Sequence, residues 1–125
     1  MTRKGRVLVI DDEKLIVKTT CILLRHLGYE TLEAYGGESG LAAARQGVPT
    51  LILLDLVMPG MDGWQVLRMI KADAVLQDIP VIIFTAKEYA NAEMIGNLEG
   101  AKGHIGKPFE PEDLEEVLRK TEGGS

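Results

Sequence analysis

The sequence predicts an α/β domain with a doubly wound, five-stranded parallel sheet. Five short segments rich in apolar and β-branched residues recur along the chain, with helical patterns between them. Three of these segments, VLVI, LILLDL and VIIFT, are apolar throughout most of their length rather than alternating. Continuous apolar runs indicate central strands that are covered by helices on both faces. The sheet is therefore expected to form the middle layer of a three-layer sandwich.

The strands are predicted from the apolar runs and from the turn-forming residues that separate them. The second and fifth segments are more polar than the others, which predicts that they form the two edges of the sheet. The five predicted strands cover residues 6–10, 31–35, 50–56, 81–85 and 102–105.

The helices are predicted from apolar residues at helical spacing. In the first helix these residues are Ile16, Thr20, Leu23 and Leu27, and Gly28 provides a left-handed cap. The fourth helix is the least favourable, because asparagine and glycine have low helix propensity. The five predicted helices cover residues 13–27, 37–46, 62–72, 90–98 and 111–120.

The amino-acid composition excludes several classes of protein. The 125 residues include 14 basic and 19 acidic side chains, and the formal net charge of −5 argues against nucleic-acid binding by phosphate neutralisation. The single cysteine, Cys21, excludes an intrachain disulfide and favours a reducing cytoplasm. The apolar runs are far shorter than the roughly 18 residues that a membrane span requires. We predict a cytoplasmic domain over residues 1–121, followed by a flexible tail or linker over residues 122–125.

Polar residues occur where the predicted strands end. Asp11 and Asp12 follow the first strand, Asp55 lies near the end of the third, Thr85 ends the fourth, and Lys107 follows the fifth. Right-handed crossovers bring these strand ends to one edge of the sheet, where parallel α/β domains bind ligands. Three close carboxylates need a cation, and an oxygen-only set favours Mg²⁺. A lysine and a hydroxyl opposite the metal suit a phosphoryl group, with an aspartate as nucleophile.

Each of these residues also has an ordinary structural explanation. Asp12 alone would be a helix cap, Thr85 a β-branched strand residue and Lys107 a solvated surface lysine. Asp55 is different, because it interrupts an apolar run in which an uncompensated carboxylate would be costly. The coincidence of all of them at one edge favours a functional site.

Four motifs carry a family resemblance. They are VLVIDDE at residues 7–13, LILLDLVMPGMDG at 51–63, VIIFTA at 81–86 and GKPF at 106–109. In sequence and spacing they resemble the receiver domain of bacterial two-component response regulators, and the resemblance to chemotaxis-type regulators extends from residue 7 to about residue 119. It implies a flavodoxin-like three-layer sandwich with strand order 2-1-3-4-5.

The resemblance implies a role for each polar residue. Asp55 would accept a phosphoryl group from a sensor histidine kinase or a phosphotransfer protein. Asp12 and Asp55 would ligate Mg²⁺ together with the backbone carbonyl of Val57, and Asp11 would act largely through water. Lys107 would pair with a phosphoryl oxygen. The domain would be a regulatory phosphoacceptor with slow autodephosphorylation rather than an enzyme that turns over a substrate.

The resemblance also implies a conformational switch. Thr85 would move its hydroxyl onto the phosphoryl group, and the Lys107–Pro108 peptide bond would be cis. Many members carry tyrosine or phenylalanine at the switch position, where this chain has His104. His104 is either the switch residue or a solvated edge histidine. Val57 and Lys87 occupy positions that influence hydrolysis in other members, and neither side chain is suited to orient a water.

Partners follow from the resemblance as well. The upstream partner would be a sensor kinase or a phosphotransfer protein. The downstream partner would be an effector or an appended output domain, and a phosphorylation-dependent dimer is one form of output. This domain itself would bind neither nucleic acid nor membrane. A haloacid-dehalogenase-type phosphohydrolase is the main alternative, but it needs an acid where Val57 stands. A flavin mononucleotide carrier is disfavoured because the acids at residues 11–13 would repel its phosphate.

Overall fold

One sheet of five parallel strands forms the centre of the domain. The computed structural model describes residues 4–86 and 100–123, with side chains described up to residue 121. The strands are β1 (Arg6–Ile10), β2 (Glu30–Ala34), β3 (Leu51–Leu54), β4 (Val81–Ala86) and β5 (Gly103–Lys107). The helices are α1 (Lys14–His26), α2 (Gly37–Gly47), α3 (Gly63–Ala72) and α4 (Pro111–Gly123). The strand order is β2-β1-β3-β4-β5, which confirms the predicted topology with β2 and β5 at the edges.

Two apolar clusters cover the two faces of the sheet. On the α2/α3 face, strand residues pack against Leu41 and Ala44 of α2 and against the buried side of α3. On the α1/α4 face, the intervening strand residues pack against α1 and α4. The strand residues of the α2/α3 face include Leu8, Ile10, Ile52, Leu54, Val81 and Ile83, and those of the α1/α4 face include Val7, Val9, Leu51, Leu53, Ile82 and Phe84. Because β1, β3 and β4 are buried on both faces, their lack of alternation in the sequence is explained.

The buried side of α1 includes the predicted residues and is wider than predicted. Thr20 is buried, and Ile16, Leu23 and Leu27 pack against the α1/α4 cluster while partly exposed, whereas the fully buried apolar side chains are Val17, Cys21 and Leu24. Both sets have helical spacing, and they lie on neighbouring stripes of the same helix. Cys21 lies on the fully buried stripe because a cysteine packs as a small apolar residue.

Several element boundaries also differ from prediction. Strand β2 begins at Glu30, because Arg6 of β1 pairs with it in the ladder. Strand β3 ends at Leu54, where the chain turns into the loop that precedes α3. Strand β5 extends to Lys107, which pairs with Ala86. Helix α4 continues to Gly123, two residues into the predicted tail, and within it the side-chain hydroxyl of Thr121 donates a hydrogen bond to the carbonyl of Val117.

Two predictions fall on residues that the structure does not describe. The helix predicted over residues 90–98 and the position of Lys87 both lie outside the described residues. Within the described ranges, no helix combines the length and the apolar character needed to cross a membrane.

Candidate functional site

The carboxyl ends of β1 and β3 place two aspartates side by side. The N–H of Asp11 donates to the carbonyl of Ala34, and the N–H of Asp55 donates to the carbonyl of Ile10. Each aspartate therefore continues the parallel ladder by one position beyond its strand. By the alternation of side chains along a strand, both follow the residues of the α1/α4 face.

Three carboxylates form a compact cluster at this edge. One oxygen from each of Asp11, Asp12 and Asp55 lies within 4.8 Å of the others. Asp11 is fully buried and Asp55 is 3% exposed, whereas Asp12 is exposed to solvent. The N–H of Glu13 donates to Oδ1 of Asp11 at 3.0 Å and so orients that carboxylate. The cluster is open on the side of Asp12, where an ion can enter.

Lys107 brings one positive charge into the cluster from β5. Its Nζ lies 2.7 Å from Oδ2 of Asp11 and 3.6 Å from Oδ1 of Asp55. The side chain is 10% exposed, so the ion pair with Asp11 is largely shielded from water. The carboxylate of Glu13 is 4.0 Å away and mostly exposed. The ammonium therefore bridges the two buried carboxylates, with the shorter contact to Asp11.

The excess negative charge of the site affects the pKa of the Asp55 carboxyl. Burial and the neighbouring charge of Asp11 raise the pKa of the Asp55 carboxyl from 3.8 to about 7, although Lys107 and the N–H of Val57 oppose the change. One ammonium does not compensate two buried carboxylates and a third at the rim. A donor set made of carboxylate oxygens, with excess negative charge and one open side, fits a hard divalent cation such as Mg²⁺.

Thr85 presents a hydroxyl at the end of the neighbouring strand. It is fully buried, and among the residues that the structure describes its Oγ1 has no hydrogen-bond partner. A buried hydroxyl without a partner costs about 1–3 kcal/mol, which an incoming acceptor would offset. Thr85 pairs in the ladder with Gly106, and His104 pairs with Ile83. By strand alternation, Thr85 and His104 thus belong to the α2/α3 face, opposite the carboxylates.

The loop after Asp55 is held tightly against α3. A side chain at Gly63 would meet the carbonyl oxygen of Asp55 and would lie only 2.6 Å from Cα of Leu56. Asp62 and Gln65 form a reciprocal capping box at the start of α3. The N–H of Val57 donates to Oδ1 of Asp55 at 3.4 Å, while the Val57 side chain is half exposed. These contacts fix the backbone around the central aspartate.

The structure brings together most of the residues singled out in the sequence. Asp11, Asp12, Asp55 and Lys107 form one cluster, with Thr85 at the adjacent strand end and the Val57 backbone beside Asp55. The Lys107–Pro108 peptide bond is cis, which is the arrangement that the resemblance implied. His104 is partly buried and lies on β5 two positions before Gly106, the ladder partner of Thr85.

Sequence reasoning missed two neighbours of Lys107. One is Glu13, at the rim of the site, and the other is Phe84, whose ring centroid lies 4.8 Å from the ammonium. Each directly adjoins a residue that was singled out, Asp12 and Thr85, and this adjacency was the available signal. Their contacts with Lys107 join segments that are far apart in sequence.

Comparison with known proteins identifies the family. Residues 7–119 match the family model described as the response regulator receiver domain. The chain belongs to this family. Receiver domains are the phosphoacceptor signalling domains of two-component systems, and they bind Mg²⁺ at an acidic pocket. The acidic cluster of this receiver lies at the carboxyl edge of the sheet.

The relatives of this receiver include both short and long proteins. Protein PilH of Pseudomonas aeruginosa is 37% identical over 121 residues, which cover 96% of this chain and 99% of PilH. The DNA-binding response regulator MtrA of Mycolicibacterium smegmatis is 36% identical over 113 residues, which cover 90% of this chain but only 48% of MtrA. The chain thus spans nearly the whole of one relative and about half of the other.

Solved structures show the same fold. Chemotaxis protein CheY4 of Vibrio cholerae superposes with a TM-score of 0.86 at 29% identity, over 93% of this chain and 97% of that one. NtrX of Brucella abortus superposes with a TM-score of 0.87 at 29% identity, over 96% of this chain and 27% of that one. The receiver fold therefore occurs in this group both almost alone and as a minor part of a longer chain.

Proposed function

We propose that this receiver is controlled by phosphorylation of Asp55 and that a sensor histidine kinase or a phosphotransfer protein is the donor. The observation that carries the proposal is the position of the Asp55 carboxylate, buried at the carboxyl edge of the sheet and flanked by two further aspartates and Lys107. A carboxylate placed there is both accessible to a phosphoryl group from the open side and surrounded by groups that hold phosphoryl oxygens.

The proposed step is an in-line displacement at phosphorus. An oxygen of the Asp55 carboxylate attacks the phosphorus of a phosphohistidine and forms an O–P bond. The P–N bond of the donor breaks, and its electron pair returns to the imidazole nitrogen, which then takes up a proton. The product is an acyl phosphate on Asp55. Positioning and charge stabilisation supply most of the acceleration in such transfers.

Mg²⁺ is the cofactor that the donor set supports. Asp12 and Asp55 would hold it with the backbone carbonyl of Val57, and Asp11 would contribute largely through water. When bound, it supplies positive charge against the oxygens of the transferring phosphoryl group. The orientation of the Asp11 carboxylate by the N–H of Glu13 and by Lys107 supports this assignment.

Lys107 and Thr85 would hold the phosphoryl group once it is on Asp55. The ammonium is 3.6 Å from Asp55 and needs little movement to exchange its contact with Asp11 for a phosphoryl oxygen. The hydroxyl of Thr85 would donate to another oxygen and gain the partner that it lacks among the described residues. Movement of Thr85 is then expected to affect His104, which shares its face of the sheet, as the switch residue.

The partners are proposed from the relatives. An upstream kinase or phosphotransfer protein and a downstream effector or output domain are both expected, in the cytoplasm, and a phosphorylation-dependent dimer is one form that the output can take. MtrA is described as a DNA-binding response regulator. In this chain the receiver itself is acidic, and we assign it no direct contact with nucleic acid or membrane.

Phosphorylation with a small donor tests the proposal. Incubation with acetyl phosphate and Mg²⁺ should add one phosphoryl group, detected by intact-protein mass spectrometry. The added mass should be absent in Asp55→Asn and retained in the control Asp78→Asn, which replaces an exposed aspartate away from the cluster. Equal labelling of Asp55→Asn and the native chain would refute the assignment of the acceptor.

A further inference from the structure

The ammonium of Lys107 lies over the face of an aromatic ring. Its Nζ is 4.8 Å from the centroid of Phe84, within the range of a cation–π interaction. The ring is fully buried, and the lysine side chain is 10% exposed. The contact is thus largely shielded from water, where the attraction of a cation to a ring face is strongest.

The geometry of the sheet explains why these two residues meet. Lys107 pairs with Ala86 in the β4–β5 ladder, and Phe84 lies two positions earlier on β4. Residues two positions apart share a face of the sheet, so Phe84 is the diagonal neighbour of Lys107 on the α1/α4 face. The side chain of Lys107 reaches Asp11 while its ammonium lies over this ring.

The ring is itself held in place. Phe109 packs edge-on against Phe84, with ring centroids 5.8 Å apart and an interplanar angle of 61°. Phe84 also belongs to the apolar cluster of the α1/α4 face. Its orientation is therefore set by packing rather than by Lys107, and the ring offers the ammonium a fixed surface.

The geometry points to Phe84 as a positioning residue for Lys107. The ring bounds the apolar side of the ammonium, so that its remaining directions face Asp11 at 2.7 Å and Asp55 at 3.6 Å. The ammonium can pivot between these carboxylates while it stays on the ring. This inference rests on the proposed function, because it makes Phe84 responsible for presenting Lys107 to the phosphoryl group that Asp55 accepts.

A series of fluorinated phenylalanines at position 84 separates the electrostatic contribution from packing. Each added fluorine weakens the negative face of the ring with little change in its shape. We expect the rate of phosphorylation by acetyl phosphate to fall with each fluorine, by about 5- to 30-fold in total, as expected for loss of a largely desolvated cation–π contact. The chain should still fold, because the ring keeps nearly the same volume and packing, and loss of the contact should lower the midpoint of thermal unfolding by only about a few degrees.

A spectroscopic readout tests the contact without any phosphoryl transfer. Protons on the Lys107 methylene next to Nζ should be shifted upfield by the Phe84 ring in the metal-free native chain. This shift should be lost in Phe84→Leu. In the control Tyr29→Leu, the shift and the phosphorylation rate should both be retained, because that variant removes a similar lysine–ring contact, between Lys4 and Tyr29, on another part of the chain.

The possible results separate the two proposals. A phosphorylation rate that is the same at every level of fluorination, or a Lys107 methylene without the upfield shift, would overturn the role of Phe84. Absence of any label on Asp55 in the native chain would instead overturn the proposed function, while the shift would still show whether Phe84 holds the ammonium.

Discussion

Removing the charge of Asp55 should stabilise the metal-free protein at neutral and alkaline pH. The pKa of this carboxyl is about 7 in the folded state and near 3.8 when it is exposed. At pH values between these two pKa values, the folded chain binds a proton at Asp55 that the unfolded chain has released. The free energy of unfolding therefore falls as pH rises from about 4 through about 7, and the stabilising contribution of the protonated carboxyl is absent at pH 8.

The size of the effect follows from the pKa difference. A difference of about three units corresponds to a ceiling of roughly 4 kcal/mol. Local relaxation and water at the open side of the cluster lower this value, and we expect Asp55→Asn to gain about 1–3 kcal/mol at pH 8. The variant keeps the shape of the side chain and leaves Lys107 paired with Asp11, so no new unpaired charge is buried.

Urea unfolding in the presence of a chelator measures this gain. The native chain, Asp55→Asn and the control Asp78→Asn are compared at pH 5, 6, 7 and 8. The advantage of Asp55→Asn should grow with pH, and saturating Mg²⁺ should reduce it by stabilising the native chain. An advantage that does not change between pH 5 and pH 8, or a loss of stability at pH 8, would refute the charge argument.

Three further predictions concern the metal, a strained backbone position and the lifetime of the acyl phosphate. Asp12→Ala should weaken Mg²⁺ binding at least about 10-fold in a fluorescence titration of Trp64, because one proposed ligand is lost; an unchanged Kd would contradict this. Val48 has a φ of 37° at the end of α2, so Val48→Gly should raise the free energy of unfolding by about 0.5–1 kcal/mol, and a decrease would contradict the strain. Val57→Asn should accelerate loss of the phosphoryl group by about 10-fold, because an amide can orient the attacking water and the valine cannot; equal decay rates would exclude water orientation at this position.

The fold was largely predictable because its signals are local. Continuous apolar runs predicted the three central strands, and polar residues at strand ends predicted the acidic edge. Helical patterns predicted the bounds of α2 and α3 to within one residue. What the local pattern did not determine was how deeply each residue of α1 is buried. Val17 and Ile16 both lie on stripes with helical spacing and both pack on the α1/α4 face, but only Val17 is fully buried.

The sequence predicted which residues form the site, but not the contacts and distances between them. The topology of parallel strands brings Asp11, Asp55 and Lys107 to one edge in any sheet with this strand order. The contact of Lys107 with Phe84 depends instead on the β4–β5 register and on the rotamers of two long side chains. The raised pKa of Asp55 likewise depends on burial and on distances that a linear sequence does not contain.

The absence of a side chain at Gly63 has a consequence for anyone who exchanges segments between receivers. The first residue of α3 touches the backbone of Asp55 and Leu56 so closely that there is no space for even a methyl group. The loop after β3 and the first turn of α3 therefore fit each other closely. A chimera that takes its phosphoacceptor strand from one parent and its third helix from another would need its junction placed after residue 63, so that both halves of this contact come from the same parent.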